Sequence, residues 1–492
     1  MSQEPEQEPQ STIFMRKSGP DGKAVGFTPT AAVKTEATTL AELTPQQRKT
    51  GIAAWLGWLF DGLDMHLYGL VASTFVASLL INQNLIPGDA TPAHDLVKEK
   101  SGYIQAAFLV GWALGGAFFG RLGDILGRSR SLSLTILTYA VFTGLSFFAQ
   151  TWWQLLIFRF LAALGIGGEW AVGSSLLSET WPKKWRPWIA AVLQTGVNLG
   201  VLLACLTTFI MADLHPKWVF LVGILPALMV FWIRRHVPEP EEWHAAKRAS
   251  LGSQPGIADL FRGAVRRTTL LTIIVCACGL TAWWAFMFWH AQHLRNLPDL
   301  DTAAKVELAK STVGAAGVAP AEATKWIAAY KQKTVSIAFF VIICSSIAGN
   351  FAAAALARFF GYRRSIAICY LGFFLTMGGT FIQVRGWESL VWVWFPAVGF
   401  FSGVFGLFTM YLPPLFPTLL RTTGAGFCYN IGRIASAAGV IFSGSLASGG
   451  DFKKTLLFAA CLFVPGMLVA IILPEPKDLG GHATETELSA VE

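Results

Sequence analysis

Four charged side chains lie inside long apolar stretches of this sequence, where an unpaired charge is costly. Asp61, Asp64 and Tyr68 share one face of a helix, because they are three and then four positions apart. Arg159 and Arg433 lie in two other apolar stretches. A buried carboxylate can take up or release a proton as its surroundings change, and the fork of an arginine fits a carboxylate. These residue types predict a buried site for an organic anion and a proton.

The composition places these residues in a membrane protein. Of the 492 residues, 53% are hydrophobic and 14% are charged, whereas soluble domains have about 25% charged residues. Apolar windows long enough to cross roughly 30 Å of hydrocarbon predict helices 1 to 12 near 52–80, 103–120, 131–150, 152–178, 188–212, 217–236, 268–290, 334–357, 365–383, 390–412, 424–446 and 455–473.

Depth along these helices suggests which charges can meet. At about 1.5 Å per residue, Asp61 and Asp64 lie roughly 16 and 21 Å along helix 1, and Arg159 lies at a similar depth in helix 4. Either acid can therefore pair with Arg159. We predict that Asp61 or Asp64 binds a coupled proton; the alternative is that both acids only brace helix 1 against a neighbour.

The predicted substrate site extends to helices 5, 7 and 11. Arg433 lies roughly 14 Å along helix 11, and aligning Pro182-x-x-x-Arg186 with Pro417-x-x-x-Arg421 places it opposite Asn198. We predict that Arg433 and Arg159 bind the substrate carboxylate; a buried structural pair is the alternative for Arg433. The other predicted substrate contacts, for which interhelical hydrogen bonds or core packing are the alternatives, are Tyr68, Gln194, Asn198, Tyr429, Asn430 and Trp283.

Charge and glycine concentrate in the short turn from Gly120 to Arg130, between helices 2 and 3. Arg128 or Arg130 is predicted to pair with Glu169 or Glu179 when this end of the protein is closed. Glu169 is assigned to this end because it lies roughly 24 Å from the outer end of helix 4; a solvated surface role is the alternative. The predicted gating residues are Gly120, Asp124, Gly127, Arg128, Arg130, Glu169, Glu179 and Arg186.

Two halves of six helices follow from the repeated motifs, with bundles at 51–236 and 268–473, a linker at 237–267, an outer loop at 291–333, and tails at 1–50 and 474–492. Basic residues cluster in the turns on the side of both tails, which predicts that this side is cytoplasmic. Contact with anionic lipid explains the net charge of +8 without nucleic acid. All seven cysteines lie in apolar windows and indicate neither a disulfide framework nor a metal site.

The Gly120–Arg130 turn resembles the signature loop of the major facilitator superfamily. Within that superfamily, Asp61-Gly-Leu-Asp64, the helix 4 segment Arg159–Trp170, the segment Tyr411–Pro417 and Tyr429-Asn-Ile-Gly-Arg433 resemble the sialate:proton symporters. The aromatic-acid and metabolite symporters are also similar.

This resemblance implies an all-α membrane protein of twelve helices in two pseudo-symmetric bundles, with alternating access to a central cavity near helices 1, 4, 7 and 10. The implied function is symport of a small organic anion with protons by a monomer in the plasma (inner) membrane, without a cofactor. An uncoupled facilitator, an antiporter and a nontransporting membrane sensor are the alternatives. An enzyme is not expected, because no nucleotide loop, metal cluster or activated nucleophile stands out in the sequence.

Overall fold

The computed structural model describes residues 39–88, 94–211, 214–250, 255–311, 320–446 and 452–476. Each predicted window forms a helix or a run of short helices. The bounds are helix 1 Pro45–Asn82, helix 2 Asp95–Leu126, helix 3 Arg128–Ser146, helix 4 Trp152–Thr180, helix 5 Arg186–Ile210, helix 6 Val219–Val222 and Ala227–His236, helix 7 Val265–Arg295, helix 8 Pro320–Phe360, helix 9 Tyr362–Ile382, helix 10 Trp387–Ser389, Phe395–Phe401 and Val404–Tyr411, helix 11 Arg421–Leu446, and helix 12 Phe452–Cys461 and Phe463–Ile472.

Within the described part of the chain, nine helices are long and apolar enough to cross a membrane by themselves, and helix 1, which bends by 57°, makes a tenth. Helices 3 and 11 are not among these ten. Helix 3 is rich in Ser and Thr and begins with two arginines, and helix 11 contains several glycines and Arg433. Both carry polar groups that the surrounding protein must satisfy, since lipid cannot.

The tails are described only near the bundles, so residues 1–38 and 477–492 of the predicted tails lie outside the described part. The predicted outer loop 291–333 contains the end of helix 7, an outer helix at Pro298–Ser311 and the start of helix 8; residues 312–319 lie outside the described part. The predicted linker contains a helix at Glu241–Ala249, which we call the linker helix.

An ionic clasp anchors the outer helix to helix 8. Asp301 lies 2.7 Å from Lys305 Nζ and 2.8 Å from Lys331 Nζ. Hydrogen bonds from these two lysines lower the pKa of Asp301 to about 2. Asp301 is therefore still ionised in acidic surroundings, and the clasp is lost only as the pH falls towards that value.

The two bundles meet along two seams, one between helices 2 and 11 and the other between helices 5 and 8. At the first seam the backbones approach closely, because a Cβ at Gly426 would lie 2.3 Å from the carbonyl oxygen of Gly116. Only glycine permits such an approach. The seams flank a central cavity, so residues at either seam can face the same ligand.

The linker helix packs against the turn between helices 2 and 3. Trp243 is buried and its indole donates to the Asp124 carbonyl at 2.9 Å. Glu239 accepts from the backbone of Ser129 at 3.1 Å and of Arg130 at 3.0 Å, which caps helix 3. Gly127 has a φ of +110°, which favours glycine at this turn. We call the side of the protein that carries this turn the basic face.

Candidate functional site

A cavity of about 310 Å³ lies between the bundles. The polar and charged residues on its wall are Asp61, His66, Gln194, Asn198, Ser346, Ser402 and Arg433, and aromatic and aliphatic side chains make up most of the rest. The tryptophan and tyrosine rings on the wall are Trp58, Trp112, Trp170, Trp283, Trp284 and Tyr429. This volume is at the lower end of the roughly 300–1,000 Å³ typical of ligand pockets. The cavity is suited to a small ligand with one anionic group and a flat apolar body.

Arg433 is the arginine on the cavity wall, and the two bundles position it together. Its guanidinium lies 3.6 Å from the ring centre of Trp112 on helix 2 and 4.9 Å from that of Tyr429. One terminal nitrogen donates to Asn430 Oδ1 at 2.9 Å, whereas Nε has no partner among the described residues. Because Trp112 covers one face and Asn430 and Tyr429 already bind part of the guanidinium, the edge that carries Nε is where a carboxylate can bind.

Two buried carboxyl groups lie next to each other beside Arg433. Asp61 on helix 1 interacts electrostatically with Arg433 and lies within hydrogen-bonding reach of Glu169 on helix 4. Neither Asp61 Oδ1 nor the Glu169 oxygens have a donor among the described residues. Two adjacent buried carboxylates repel each other, and a shared proton removes that repulsion. The pair is a site where a proton can be held.

The structure does not bring Glu169, a predicted gating residue, to Arg128 or Arg130. Helix 4 has 29 residues and is therefore about 43 Å long, so Glu169 lies near its middle instead of near its end. A Cβ at Gly57 on helix 1 would lie 1.7 Å from a Glu169 oxygen, which shows how closely this side chain packs against helix 1. Glu169 belongs to the central site.

Asp64 and Arg159 form the buried pair that their depth allowed. Arg159 lies 3.2 Å from Asp64, and Thr143 donates to Asp64 at 2.6 Å. The rings of Tyr68 and Phe108 each lie 5.0 Å from the Arg159 guanidinium. This cluster is enclosed within the first bundle. Neither Arg159 nor Tyr68 lies on the cavity wall, so the structure does not bring them to the cavity, and their contact with the substrate stays a prediction.

Breaking the Asp64–Arg159 pair is expected to reduce stability more than substrate recognition. R159M should lower the free energy of unfolding by about 3–5 kcal/mol, because it leaves a buried carboxylate without its cation. The measurement is the Tm of the purified protein in detergent. The double variant D64N/R159M should recover most of the loss, since it removes both charges. An R159M protein with unchanged Tm and lost substrate binding would contradict this assignment.

Residues on helices 4 and 11 close the cavity towards the basic face. The Tyr429 ring lies flat on Trp170, with ring centres 4.0 Å and planes 5° apart. Tyr429 comes one turn before Arg433 on a helix that starts at the basic face, so this stack lies between Arg433 and that face. Asn430 donates to the Gly426 carbonyl at 2.7 Å and is buried against Gly116. Asn430 does not lie on the cavity wall and instead accepts a hydrogen bond from Arg433, so its contact with the substrate stays a prediction.

Gln194, Asn198, Tyr429 and Trp283 do lie on the cavity wall, as a substrate role requires. Trp283 also packs against Phe286, with ring centres 5.8 Å apart, and against Phe405 at 5.9 Å. The predicted aromatic wall on helix 7 is thus part of both the cavity and the core of the second bundle.

The predicted gate joins the two bundles at the basic face. Asp124 accepts from the backbone of Thr422 and Thr423 at 3.3 and 2.9 Å, where helix 11 begins. Arg128 is fully buried and lies 2.8 Å from Glu179 and 3.2 Å from Asp124. It also donates to the Thr418 carbonyl of the second bundle at 2.6 Å.

The remaining gate residues have different surroundings. Gly120 faces the start of helix 11, because a Cβ there would lie 2.9 Å from the Thr422 carbonyl oxygen. The Arg130 side chain is exposed and its backbone donates to Glu239. Arg186 donates to the Ser178 carbonyl within the first bundle.

Arg421, which was not among the residues predicted from the sequence, lies with the predicted gating residues. It lies 3.2 Å from Glu179 and 2.8 Å from Glu242 of the linker helix. It therefore connects the first bundle, the linker and the second bundle. Its position in the Pro417-x-x-x-Arg421 repeat was the signal that could have identified it.

Removing the charge of Asp124 is expected to open the basic face. Asp124 accepts three hydrogen bonds from helix 11, including 2.6 Å from Thr423 Oγ1, and bonds to a charged group contribute about 1.5–3 kcal/mol each. D124N should raise the rate of maleimide labelling at A171C, which packs against Gly426, by about tenfold. The exposed pair of Glu307 and Lys310 supplies the control E307Q. Equal labelling in both variants would contradict the gate.

Comparison with known proteins agrees with this architecture. Residues 49–287 match the family model described as "Sugar (and other) transporter". A probable 4-methylmuconolactone transporter of Cupriavidus pinatubonensis is 29% identical, covering 88% of this chain and 92% of that protein. The sialic acid transporter NanX of Escherichia coli is 27% identical, covering 88% and 96%. The solved structure of the proton:xylose symporter XylE has a TM-score of 0.66 at 16% identity, covering 91% of this chain and 99% of XylE.

Twelve helices in two bundles around a shared cavity define the fold of the major facilitator superfamily, and this chain has that fold. The fold predicted from the sequence is confirmed. The chain is similar along most of its length to curated proteins that are transporters and not enzymes, one of them a sialic acid transporter, in agreement with the motifs that resemble the sialate symporters.

Proposed function

We propose that this protein carries a small organic acid across the membrane together with a proton. The observation that carries the proposal is the presence of Arg433 and Asp61 on the wall of one cavity, with Glu169 next to Asp61 behind that wall. Arg433 binds the substrate carboxylate on its free edge. Asp61, released from Arg433 by the substrate, takes up the coupled proton.

Charge balance supports one proton for each carboxylate. In the empty site, a single proton shared by Asp61 and Glu169 leaves one negative charge, which Arg433 balances. A bound carboxylate adds a second negative charge to a site that is shielded from water. A second proton on the carboxyl pair restores neutrality, so the loaded carrier moves without a net change in the charge of the site.

The cavity favours a compact, flat acid. Five tryptophan side chains lie on its walls, and indole rings stack on planar groups. Its volume of about 310 Å³ also favours a molecule with one ring or a short chain. An aromatic or unsaturated monocarboxylate therefore fits this wall better than a large sugar acid, which would need many hydrogen-bond partners.

The same proposal includes the orientation and location of the protein. The turns of the basic face carry most of the arginines and lysines between the helices, and such turns stay in the cytoplasm. Both described ends of the chain, at residues 39 and 476, lie next to helices that begin or end at this face. We place the protein in the plasma (inner) membrane with both ends in the cytoplasm, and we expect a monomer that contains one cavity.

Uptake into vesicles of purified protein tests the proposal. The probes are radiolabelled benzoate, nicotinate, muconate, a hydroxy acid, a keto acid and N-acetylneuraminate. With the vesicle interior one pH unit more alkaline than the medium, a transported monocarboxylate should accumulate about tenfold. A membrane potential alone should produce no accumulation.

Other outcomes identify the alternatives. Equilibration without accumulation, and without alkalinisation of the medium, would assign the protein as a facilitator and make Asp61 and Glu169 structural. Uptake that requires a second substrate inside the vesicle would assign an antiporter. No uptake of any acid would contradict the proposal.

A further inference from the structure

The cavity has a second polar region on the side away from Arg433. Arg433 lies at the seam of helices 2 and 11, whereas Gln194 and Asn198 of helix 5 lie at the seam with helix 8. Ser346 of helix 8 and Ser402 of helix 10 also line the cavity there. The two seams flank the cavity, so a ligand bound to Arg433 directs its far end towards this second region.

Several polar atoms of this region are buried without a protein partner. Asn198 is 4% exposed and its Nδ2 is unpaired among the described residues. Asn350, one turn after Ser346 on helix 8, is 1% exposed, and both its Oδ1 and its Nδ2 are unpaired there. Buried amides in native proteins are nearly always hydrogen-bonded. Groups from outside the chain are therefore needed to complete the hydrogen bonding of these two side chains.

The backbone holds Asn350 rigidly beside helices 5 and 10. A Cβ at Gly349 would lie 1.7 Å from the Phe400 carbonyl oxygen, and one at Gly403 would lie 2.1 Å from the Gly349 carbonyl oxygen. A Cβ at Gly406 would lie 3.4 Å from Gln194 Cβ and 3.7 Å from Asn350 Oδ1. Asn350 thus lies where helices 5, 8 and 10 converge.

The serines on the wall are already engaged with each other. Ser402 Oγ lies 2.7 Å from Ser346 Oγ and 2.6 Å from the Gly399 carbonyl. These bonds fix the hydroxyl groups at the edge of the region and leave the amides as its free donors and acceptors. Gln194, Asn198, Ser346 and Ser402 lie on the cavity wall, and Asn350 lies directly behind it. We call these five residues the amide niche.

We propose that the amide niche is a second substrate subsite, which takes an uncharged hydrogen-bonding group at the end of the acid opposite its carboxylate. A hydroxyl, a carbonyl or a ring nitrogen suits it, because amides both donate and accept and none of the five residues is charged. The inference rests on the proposed function, since it assumes that Arg433 holds the carboxylate. It narrows the substrate class to acids with two polar ends.

Competition between closely related acids tests this subsite. Uptake of benzoate into vesicles is compared with uptake of its 2-, 3- and 4-hydroxy isomers, of nicotinate and of 4-methylbenzoate. At least one compound with a second polar group should be transported with a kcat/KM at least tenfold above that of benzoate. The methyl compound should gain nothing, since it adds volume without a hydrogen bond.

Variants of the niche should remove the preference and keep transport. N198L and N350L, which replace amides by apolar side chains of similar shape, should raise the KM of the preferred acid about tenfold or more while the KM of benzoate changes little. S346A is the milder variant should either of these fail to fold. The control is T272V, because the buried Thr272 hydroxyl bonds within helix 7 to the Thr268 carbonyl.

The outcomes separate the two proposals. Transport of benzoate at the same efficiency as every polar analogue would overturn the niche and leave the proposed function standing. No transport of any acid by the wild-type protein would overturn the proposed function itself. If N198L, N350L and S346A still preferred acids with a second polar group over benzoate, another part of the cavity would bind that group and the niche would be overturned.

Discussion

R433Q is expected to lose substrate binding and uptake by a factor of about 100 or more. Arg433 is the cavity arginine whose edge is free, and truncating one partner of a buried charged hydrogen bond costs about 2–5 kcal/mol. R433K should lose a smaller but clear part of the affinity. Lysine keeps the charge but lacks the planar fork that lies between Trp112 and Tyr429 and fits a carboxylate. Binding is measured by quenching of tryptophan fluorescence, and transport by uptake into vesicles.

Arg385 provides a matched control for this experiment. Its guanidinium lies 3.7 Å from the ring centre of Trp394 and it donates to the Gly379 carbonyl, so it also stacks on a tryptophan. It is not on the cavity wall. R385Q should therefore keep wild-type affinity. If R433Q bound the substrate as tightly as R385Q does, the carboxylate would have to bind elsewhere.

The double variant D61N/E169Q is expected to abolish accumulation driven by a pH gradient. With one pH unit across the membrane, the wild-type accumulation ratio of about ten should fall to one, because the site no longer has a carboxyl group that can change its proton content. Exchange of labelled for unlabelled substrate across the same membrane should continue, since Arg433 is intact. Either single variant keeps one carboxyl group beside Arg433 and should retain part of the accumulation.

D64N is the internal control for proton coupling, three residues along the same helix. Asp64 is paired with Arg159 and Thr143 away from the cavity wall, so its loss should lower the Tm and the amount of folded protein. The D64N molecules that do fold should still accumulate substrate in a pH gradient. Accumulation lost in D64N and kept in D61N/E169Q would reverse the assignment.

Gate and site were predicted from the sequence to different degrees. The Gly120–Arg130 turn identified Asp124 and Arg128 as gating residues, and the structure joins both to the second bundle because the turn lies where helix 11 begins. Glu169 was misplaced, because depth counted from one end of a helix assumes that the helix just spans the bilayer. A helix of 29 residues extends beyond it.

The sequence by itself determined the class of the protein and which charged residues lie inside its membrane-spanning helices. Lipid excludes charge, so apolar windows and the few charges kept inside them can be read along the chain without knowing any contact. That reasoning identified Asp61, Asp64, Arg159 and Arg433. That reasoning could not decide which carboxylate pairs with which arginine.

Only the tertiary structure decided the partners. Asp61 and Asp64 are three positions apart on one helix, yet one joins Glu169 beside the cavity and the other joins Arg159 inside the first bundle. The rotation, bend and close packing of the helices make that choice, and they depend on many weak contacts between residues far apart in the sequence. The same contacts bring Trp112 onto Arg433 and bury Asn350, for which the local sequence contains no signal.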